Sequence, residues 1–239
     1  MTRRVAALVM ALWSGSALAV TCEEVTFEAQ GFTVCSVDAA TEELRLLHSD
    51  GTGRPYGTFG ALEEAVDGTL VFAMNAGMFH RDLAPVGLYV EDGQEIARVQ
   101  PNAGPGNFGL LPNGLLCLNE GRAEVIETLR WLDGGPECRD ATQSGPILVI
   151  GGDLHPKLLP DSTSRFIRNG VGTSGDGRRA VFVISDDPVN FHTFARFFRD
   201  GLGLPDALYL DGKVSRLHAP QLGRSDGGFP VGPLVAVVE

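Results

Sequence analysis

LVFAMNAGMFH occupies residues 70–80 and changes from an apolar run to a small polar turn at Asn75. The first five residues, Leu70–Met74, predict a buried strand. Asn75 ends that strand, because its side chain offers donors and an acceptor and tolerates left-handed backbone. Ala76 and Gly77 carry almost no side chain, so their backbone amides can approach a ligand or another segment. The stretch therefore predicts either an anion or sugar site or a tight turn in a packed core.

The first nineteen residues have the pattern of an export signal. Arg3 and Arg4 precede an apolar segment, and Ala17-Leu18-Ala19 fits a signal-peptidase site. A membrane anchor is the alternative, but the residues from Ser14 to Ser16 end the apolar run well short of a span. We therefore predict a signal peptide at residues 1–19, a mature domain at residues 20–239, and a periplasmic or secreted location with no membrane span.

The composition is that of an acidic domain with a substantial core. The length of 239 residues predicts one domain or at most two, and 44% of the residues are hydrophobic. The formal charge is −11, and removal of Arg3 and Arg4 would leave 17 basic and 30 acidic residues, a charge near −13. Such a charge argues against non-specific binding to nucleic acid or anionic membranes. An anionic substrate would therefore need a local cluster of Arg side chains and amides.

The predicted mature chain contains an even number of cysteines, Cys22, Cys35, Cys117 and Cys138. After an export signal, this count predicts two disulfides. Three connectivities are possible, and we expect Cys22–Cys35 and Cys117–Cys138 because each pair closes a short local loop. Zinc is the alternative, but the chain has no C-x-x-C and no nearby His pair, so we predict no metal site. We also predict no cofactor.

Short strands dominate the predicted secondary structure. Hairpins are expected at Asp92-Gly93 and at Pro112–Gly114, the second joining residues 108–111 to residues 115–118. Helices are expected after the caps Thr58 and Asn190, and residues 217–228 are expected to form a polar loop. Further strands are predicted near residues 32–37, 44–48, 70–74, 85–90, 124–126, 147–150, 166–171, 180–184, 205–210 and 231–238. The pattern predicts an α+β fold, with a mixed curved sheet and few flanking helices.

Polar side chains recur where predicted strands end beside glycine. A rigid strand with a small neighbour positions such a group well for binding. Each residue also has an ordinary structural explanation, because Asn and Asp occupy turns, Gln bonds to backbone and Arg forms ion pairs. The pattern occurs at Asn75 with Gly77, at Gln143 and Ser144, at Arg168 and Asn169, and at Asp211 with Ser215.

These four motifs, in this order, resemble the phosphodiester glycosidase family, whose uncovering-enzyme members remove N-acetylglucosamine from a phosphodiester. The resemblance extends from about Val71 to the end of the chain and is strongest to exported bacterial members. One departure is Lys213, which stands where the family has a second glycine after Asp211-Gly212. Lys213 changes the expected loop shape or adds a cation for a phosphate. Arg216 also stands where a small polar residue is more usual.

The resemblance implies hydrolysis of a sugar-1-phosphodiester at the C1–O bond, which releases free sugar and a phosphomonoester. It assigns Asp211 as the carboxylate near the anomeric carbon, acting as nucleophile or as base for water. It assigns Arg168 to bidentate contact with the phosphate. The residues expected to bind phosphate or sugar hydroxyls are Asn75, Ala76, Gly77, Gln143, Ser144 and Asn169, with Ser215 and Arg216 at the rim.

Two other functions fit the same residues. A non-catalytic exported protein that binds carbohydrate or phosphoglycan would keep the pocket and lose turnover, and Lys213 favours that alternative. A phosphodiesterase that cuts the phosphorus side would normally need a cluster of metal ligands. The sequence supplies no clear second catalytic carboxylate, and Glu91 and Asp176 are the weak candidates. The oligomeric state stays open.

Overall fold

The structure is a computed structural model that describes residues 20–211 and 213–239. The predicted signal peptide lies outside the described residues. Within these residues, the three α-helices are α1 (Phe59–Ala65), α2 (Thr128–Leu132) and α3 (Phe191–Arg196). The strands are β1 (Val20–Phe27), β2 (Gln30–Asp38), β3 (Leu44–Leu47), β4 (Leu70–Asn75), β5 (Tyr89–Glu91), β6 (Gln94–Ala97), β7 (Gly114–Asn119), β8 (Arg122–Glu127), β9 (Asp140–Ser144), β10 (Ile147–Ile150), β11 (Asp153–Leu154), β12 (Asn169–Thr173), β13 (Arg179–Ser185), β14 (Asp206–Asp211), β15 (Leu217–Ala219), β16 (Arg224–Ser225) and β17 (Leu234–Val238).

The strands are divided over three sheets. Sheet 1 has the order β1-β2-β13-β12-β14-β10-β11, sheet 2 the order β16-β15-β4-β17-β3, and sheet 3 the order β6-β5-β9-β7-β8. Every pairing between these described strands is antiparallel. The α+β class is confirmed, with three sheets in place of the single mixed sheet expected from the sequence.

The main core lies where the three sheets face one another. Phe182 of sheet 1, Phe72 of sheet 2 and Leu116 of sheet 3 belong to the same buried cluster. A second cluster covers the other face of sheet 1, where Phe194 and Phe198 pack against it. Because both faces of sheet 1 are covered, its inner strand β13 is apolar at consecutive positions, as predicted for residues 180–184.

Both predicted helices are confirmed, and each begins at the predicted cap. The Thr58 hydroxyl accepts a bond from the Ala61 amide at 3.2 Å, and the Asn190 amide oxygen accepts one from the Thr193 amide at 2.8 Å. Helix α3 continues as a π-helical turn, Phe197–Gly201. None of the helices in the described ranges is long and apolar enough to cross a membrane.

Three local predictions need correction. The second hairpin joins β7 to β8 through Gly121, because the left-handed conformation there, with φ of 69°, suits a tight hairpin turn better than Pro112 does. Residues 108–111 form no strand. Residues 217–228 include β15 and β16, because the apolar side chains of Leu217 and Ala219 are buried beside β4. The strand predicted at residues 85–90 begins only at Tyr89.

The expected disulfides, Cys22–Cys35 and Cys117–Cys138, are both present. Cys22 and Cys35 are directly opposed residues of β1 and β2. The second disulfide ties the irregular segment before β9 to β7. The predicted connectivity is therefore confirmed.

Candidate active site

A cavity of about 500 Å³ opens beside the end of β14. Its wall is mostly apolar, with four polar side chains, those of Asn107, Tyr209, Asp211 and Lys213. A wall with a few polar groups is typical of a small-molecule site. The remaining lining residues are Met78, Phe79, Val86, Pro105, Gly106, Phe108, Phe166 and Val214.

Asp211 and Tyr209 reach this cavity from the same strand. They are two positions apart on β14, and alternate residues of a strand point to the same face. The pairing of β14 with β12 shifts register beside them, since Asn169 opposes Asp211 while the next residue, Gly170, opposes Tyr209. Such a bulge redirects side chains and often lies next to an active site. The Lys213 amide donates to Asp211 Oδ1 at 3.0 Å.

A buried hydrogen-bond network supports the end of β14. Asn169 is its centre, because its Oδ1 accepts from the Asp211 amide at 2.8 Å and its Nδ2 donates to the Asn75 carbonyl at 2.9 Å. Ser215 donates to the Asp211 carbonyl at 2.9 Å, and the Arg216 amide donates to Asn75 Oδ1 at 2.8 Å. The network joins three of the four sequence motifs and holds the backbone of Asp211 in place.

Asn75 is fully buried within this network. Its Nδ2 has no hydrogen-bond partner among residues 20–211 and 213–239. A buried donor without a partner costs free energy, which a water or a ligand oxygen would relieve. The neighbouring Ala76 amide is used, because it donates to the Pro233 carbonyl at 2.8 Å. At Gly77, with φ of 150°, an added Cβ would lie 2.8 Å from Thr142 Oγ1, so a side chain would be strained there.

Arg168 lies behind the cavity wall and is only 1% exposed. Its guanidinium stacks on the Phe191 ring, with the central carbon 3.7 Å from the ring centroid. Nε donates to the Val189 carbonyl at 2.8 Å, Nη2 to the Ser164 carbonyl at 3.1 Å, and Nη1 to the Tyr209 hydroxyl at 3.3 Å. Within the described chain, no carboxylate forms an ion pair with it. This enclosure does not support the bidentate phosphate contact expected from the sequence.

Burial changes the titration of both groups at this contact. It lowers the pKa of Arg168 and raises the pKa of Tyr209, because each charged form loses hydration. The charge of Arg168 opposes the rise at Tyr209, while the charge of Asp211 adds to it. Tyr209 is therefore a neutral hydroxyl over the ordinary pH range.

Gln143 and Ser144 lie in the packed interior and do not face the cavity. Gln143 Oε1 accepts from the amides of Leu88 and Gln100 at 3.0 and 2.9 Å, and its Nε2 donates to the Gln100 carbonyl and to Thr128. The Ser144 hydroxyl donates to the Leu210 carbonyl at 2.8 Å. These bonds give both side chains a structural role, and Gln143 anchors the start of the loop that supplies Pro105 to Phe108 to the cavity.

The two basic residues after Asp211 differ in position. Lys213 is exposed and lines the cavity, so its ammonium group can meet an anion there. Arg216 lines two smaller clefts, and its Nη1 donates to the Ser215 carbonyl at 3.2 Å. The candidates for a second carboxylate lie elsewhere. Glu91 accepts from the Tyr89 hydroxyl at 3.0 Å, and Asp176 from the Ser174 hydroxyl at 2.6 Å.

Sequence reasoning missed the apolar wall and Tyr209. The place of Tyr209 could have been inferred from the sequence, because it lies two residues before Asp211 on one strand and alternate residues point to the same face. Phe166 and Asn107 carried no such signal, since their places depend on how distant segments pack. Among the described residues, no group of three or more His, Cys, Asp or Glu side chains has a geometry that could hold a metal ion.

Comparison with solved structures shows that the fold is shared. The catalytic domain of zebrafish N-acetylglucosamine-1-phosphodiester alpha-N-acetylglucosaminidase, auto-inhibited by its pro-peptide, matches with a TM-score of 0.64 and 12% identity, over 94% of this chain and 85% of that one. A putative exported protein from Burkholderia pseudomallei K96243 matches with a TM-score of 0.60 and 14% identity, over 88% of this chain and 74% of the other.

Comparison of sequences gives the family. An uncharacterized protein of Escherichia coli (strain K12), YigE, is 33% identical over 195 residues, which are 81% of this chain and 75% of that protein. The family model described as phosphodiester glycosidase matches residues 68–219, more than half of the chain and including β4, β12 and β14. The chain therefore belongs to the phosphodiester glycosidase family.

Proposed function

We propose that this protein hydrolyses a sugar-1-phosphodiester at the glycosidic C1–O bond and releases free sugar and a phosphomonoester. The observation that carries the proposal is a cavity whose wall includes both the Asp211 carboxylate and the Lys213 side chain. Lys213 lines the same wall, and Arg168 lies directly behind Tyr209. A substrate with an electrophilic carbon next to an anionic group is complementary to this arrangement.

The chemistry fits a site with one carboxylate. Common glycosidases use two carboxylates, because the sugar oxygen that leaves must be protonated by a strong acid. A departing phosphomonoester has a second pKa of about 6, so it leaves without full protonation. Among the described residues, Asp211 is the only carboxylate in the cavity wall. We therefore assign Asp211 to the anomeric carbon, as nucleophile or as base for water, and Lys213 to the phosphate, with Arg168 contributing its charge from behind Tyr209.

The site is pre-organised on its backbone side. Asn169 and Ser215 bind the amide and carbonyl of Asp211, so these groups need no reorganisation during the reaction. Asn75 supports Asn169, because its Oδ1 accepts a bond from Asn169 Nδ2 at 3.0 Å. The mostly apolar wall offers charges in the cavity little hydration, which strengthens the electrostatic interactions there.

We further propose that the protein acts outside the cytoplasm on a small-molecule or glycan phosphodiester. Two disulfides are typical of oxidising compartments. The similarity to a putative exported protein supports the same location. The acidic composition argues against nucleic acid as a partner.

A non-catalytic protein that binds carbohydrate or phosphoglycan is the second candidate. The observation that favours it is the absence of a second carboxylate from the described cavity wall, together with Lys213 at the position where the sequence departs from the family pattern. Such a protein would use the same cavity and the same cations without turnover.

The test is to incubate the protein with a methyl diester of N-acetylglucosamine-1-phosphate and to identify the products by NMR. Free sugar and methyl phosphate support the proposal. Sugar-1-phosphate and methanol indicate phosphodiester cleavage at phosphorus and contradict it. Binding without products, measured by calorimetry, indicates the non-catalytic alternative. The methyl glycoside of N-acetylglucosamine is the control. It would release methanol, a much poorer leaving group than a phosphomonoester, and should not be cleaved.

A further inference from the structure

We propose that the Tyr209 hydroxyl is the hydrogen-bond donor that meets the phosphate, and that Arg168 acts through Tyr209 without touching the substrate. This inference rests on the proposed function and assigns the residue that binds the phosphate group in the same cavity. Asp211, which would meet the anomeric carbon, lies two residues further along β14.

The direction of the hydrogen bonds supports this assignment. Arg168 has only donors, so the Tyr209 oxygen must accept the bond from Nη1 at 3.3 Å. The hydroxyl proton is then free to point away from Arg168, and Tyr209 lines the cavity. The Asn107 side chain, which also lines the cavity, lowers the pKa of Tyr209 and so acts as a second donor to the same oxygen. The hydroxyl proton therefore stays available for a phosphate oxygen in the cavity.

The aromatic packing fixes both partners. The Tyr209 ring meets the Phe191 ring edge to face, with centroids 4.6 Å apart and an interplanar angle of 84°. The guanidinium of Arg168 stacks on the same Phe191 ring and is held at its other end by the carbonyls of Val189 and Ser164. Both side chains are buried and held by these contacts, so the donor keeps its direction before substrate arrives.

The charge of Arg168 reaches the cavity through this contact. Among the described residues, its other two hydrogen-bond acceptors are neutral carbonyls, and no carboxylate forms an ion pair with it. The guanidinium therefore polarises the Tyr209 hydroxyl and stabilises negative charge that gathers on the phosphate. Arg168 is a positioning residue in this account.

Tyr209 donates a hydrogen bond and keeps its proton. Its pKa is raised by burial, whereas the second pKa of a phosphomonoester is about 6. Transfer of the proton to the leaving group would therefore be strongly unfavourable. The C1–O bond breaks with its electron pair going to the phosphate oxygen, and the hydrogen bond from Tyr209 strengthens as that charge develops.

The first test compares Tyr209→Phe with Tyr89→Phe in the full chain. Tyr89 is a matched control, because it is also fully buried but its hydroxyl donates to Glu91 away from the cavity. For Tyr209→Phe we expect kcat/KM for the diester to fall by on the order of 10²-fold and binding of methyl phosphate to weaken by about tenfold. Binding of free N-acetylglucosamine should be unchanged, and Tyr89→Phe should alter none of these values.

The second test asks whether Arg168 acts through Tyr209. Arg168→Lys is made alone and together with Tyr209→Phe, and methyl phosphate binding is measured by calorimetry. We expect Arg168→Lys alone to weaken binding by roughly fivefold and to have little further effect in the double variant. If Arg168→Lys weakens binding equally with and without Tyr209→Phe, Arg168 contacts the anion itself. That result overturns the proposal that Arg168 acts through Tyr209.

The outcomes separate this inference from the proposed function. If the unmodified chain binds methyl phosphate but cleaves no diester, and Tyr209→Phe weakens that binding, the proposed reaction fails and the phosphate contact stands. If the unmodified chain cleaves the diester and Tyr209→Phe leaves turnover and binding intact, the reaction stands and the inference fails. A chain that neither cleaves the diester nor binds methyl phosphate overturns both.

Discussion

At the scale of single residues, Asp211 carries the proposed chemistry. Its carboxylate lines the cavity, and its backbone is held by Asn169 and Ser215. The backbone contacts do not depend on the side-chain charge. Substitution of the carboxylate should therefore affect turnover far more than folding.

For Asp211→Ala and Asp211→Asn we predict a loss of kcat/KM on the order of 10³-fold, the scale seen when a catalytic group is removed. The melting temperature should change little. Asp206→Asn is the matched control, because Asp206 begins the same strand and accepts the Gly151 amide at 2.9 Å. The Ala variant is needed because an Asn before Gly212 can deamidate back to Asp. If Asp211→Ala unfolds the protein or retains turnover, the assignment is wrong.

A second residue-scale prediction concerns His155, which is 1% exposed. Its Nδ1 accepts from the Lys157 amide at 3.2 Å, and burial lowers its pKa from the ordinary 6.5. The folded chain therefore keeps this imidazole neutral while the unfolded chain takes up a proton near that value. The free energy of unfolding should fall as the pH decreases through 6.5.

His155→Gln should reduce this loss of stability between about pH 7.5 and about pH 5.5, measured by urea unfolding. His80→Gln, at an exposed position, is the control and should leave the slope unchanged. Burial raises the pKa of Glu91, so this residue makes the free energy of unfolding rise as the pH falls in the acid range. Because this effect opposes that of His155, the pH dependence must be compared between variants. Identical slopes for the original chain and His155→Gln would contradict the prediction.

At the scale of elements, Gln143 connects β9 to the loop that forms one side of the cavity. All four of its hydrogen bonds are internal, and two of them hold the backbone of Gln100. At Gly87 an added Cβ would lie 2.5 Å from Gln143 Oε1, so the glycine makes room for this amide. The geometry thus favours loop anchoring over contact with substrate.

We predict that Gln143→Glu lowers the free energy of unfolding by about 1–3 kcal/mol, because its carboxylate cannot donate to the Gln100 carbonyl and is buried. Gln100→Ala should be nearly neutral, since that side chain is exposed and only its backbone is used. Chemical unfolding measures both. A variant with full stability but a raised KM would instead support direct substrate contact by Gln143.

The elements also show what the sequence could predict. Residues 180–184 and the caps Thr58 and Asn190 were identified because their signals are local. The strands β15 and β16 were missed, because they are short and owe their existence to pairing with β4. The polar network was accessible through strand ends beside glycine. The aromatic enclosure of Arg168 was not, since Phe166, Phe191 and Tyr209 come from three separate segments.

At the scale of the whole molecule, the three described sheets bury the main core between them, and the two disulfides crosslink strands and a loop around it. Cys22–Cys35 bridges the edge strand β1 to β2, and Cys117–Cys138 closes a separation of 21 residues. None of these four cysteines lines the described cavity wall. The disulfides should therefore affect stability without affecting the site.

We predict that replacement of either cysteine pair by alanine lowers the free energy of unfolding by about 3 kcal/mol. For a chain of this size, that corresponds to a fall in melting temperature of roughly 6–12 °C. Calorimetry on the two double variants, with the reduced original chain as control, measures the effect. Activity per folded molecule should be unchanged, and a loss of activity in a fully folded variant would contradict this account.

The central claim is that water attacks the anomeric carbon and the phosphate leaves. The measurement that tests this is hydrolysis of the methyl diester of N-acetylglucosamine-1-phosphate in ¹⁸O-labelled water. The masses of both products are determined by mass spectrometry immediately after mixing. We expect one ¹⁸O atom in the free sugar and none in the methyl phosphate. Label in a phosphate product, or the appearance of N-acetylglucosamine-1-phosphate, would contradict it.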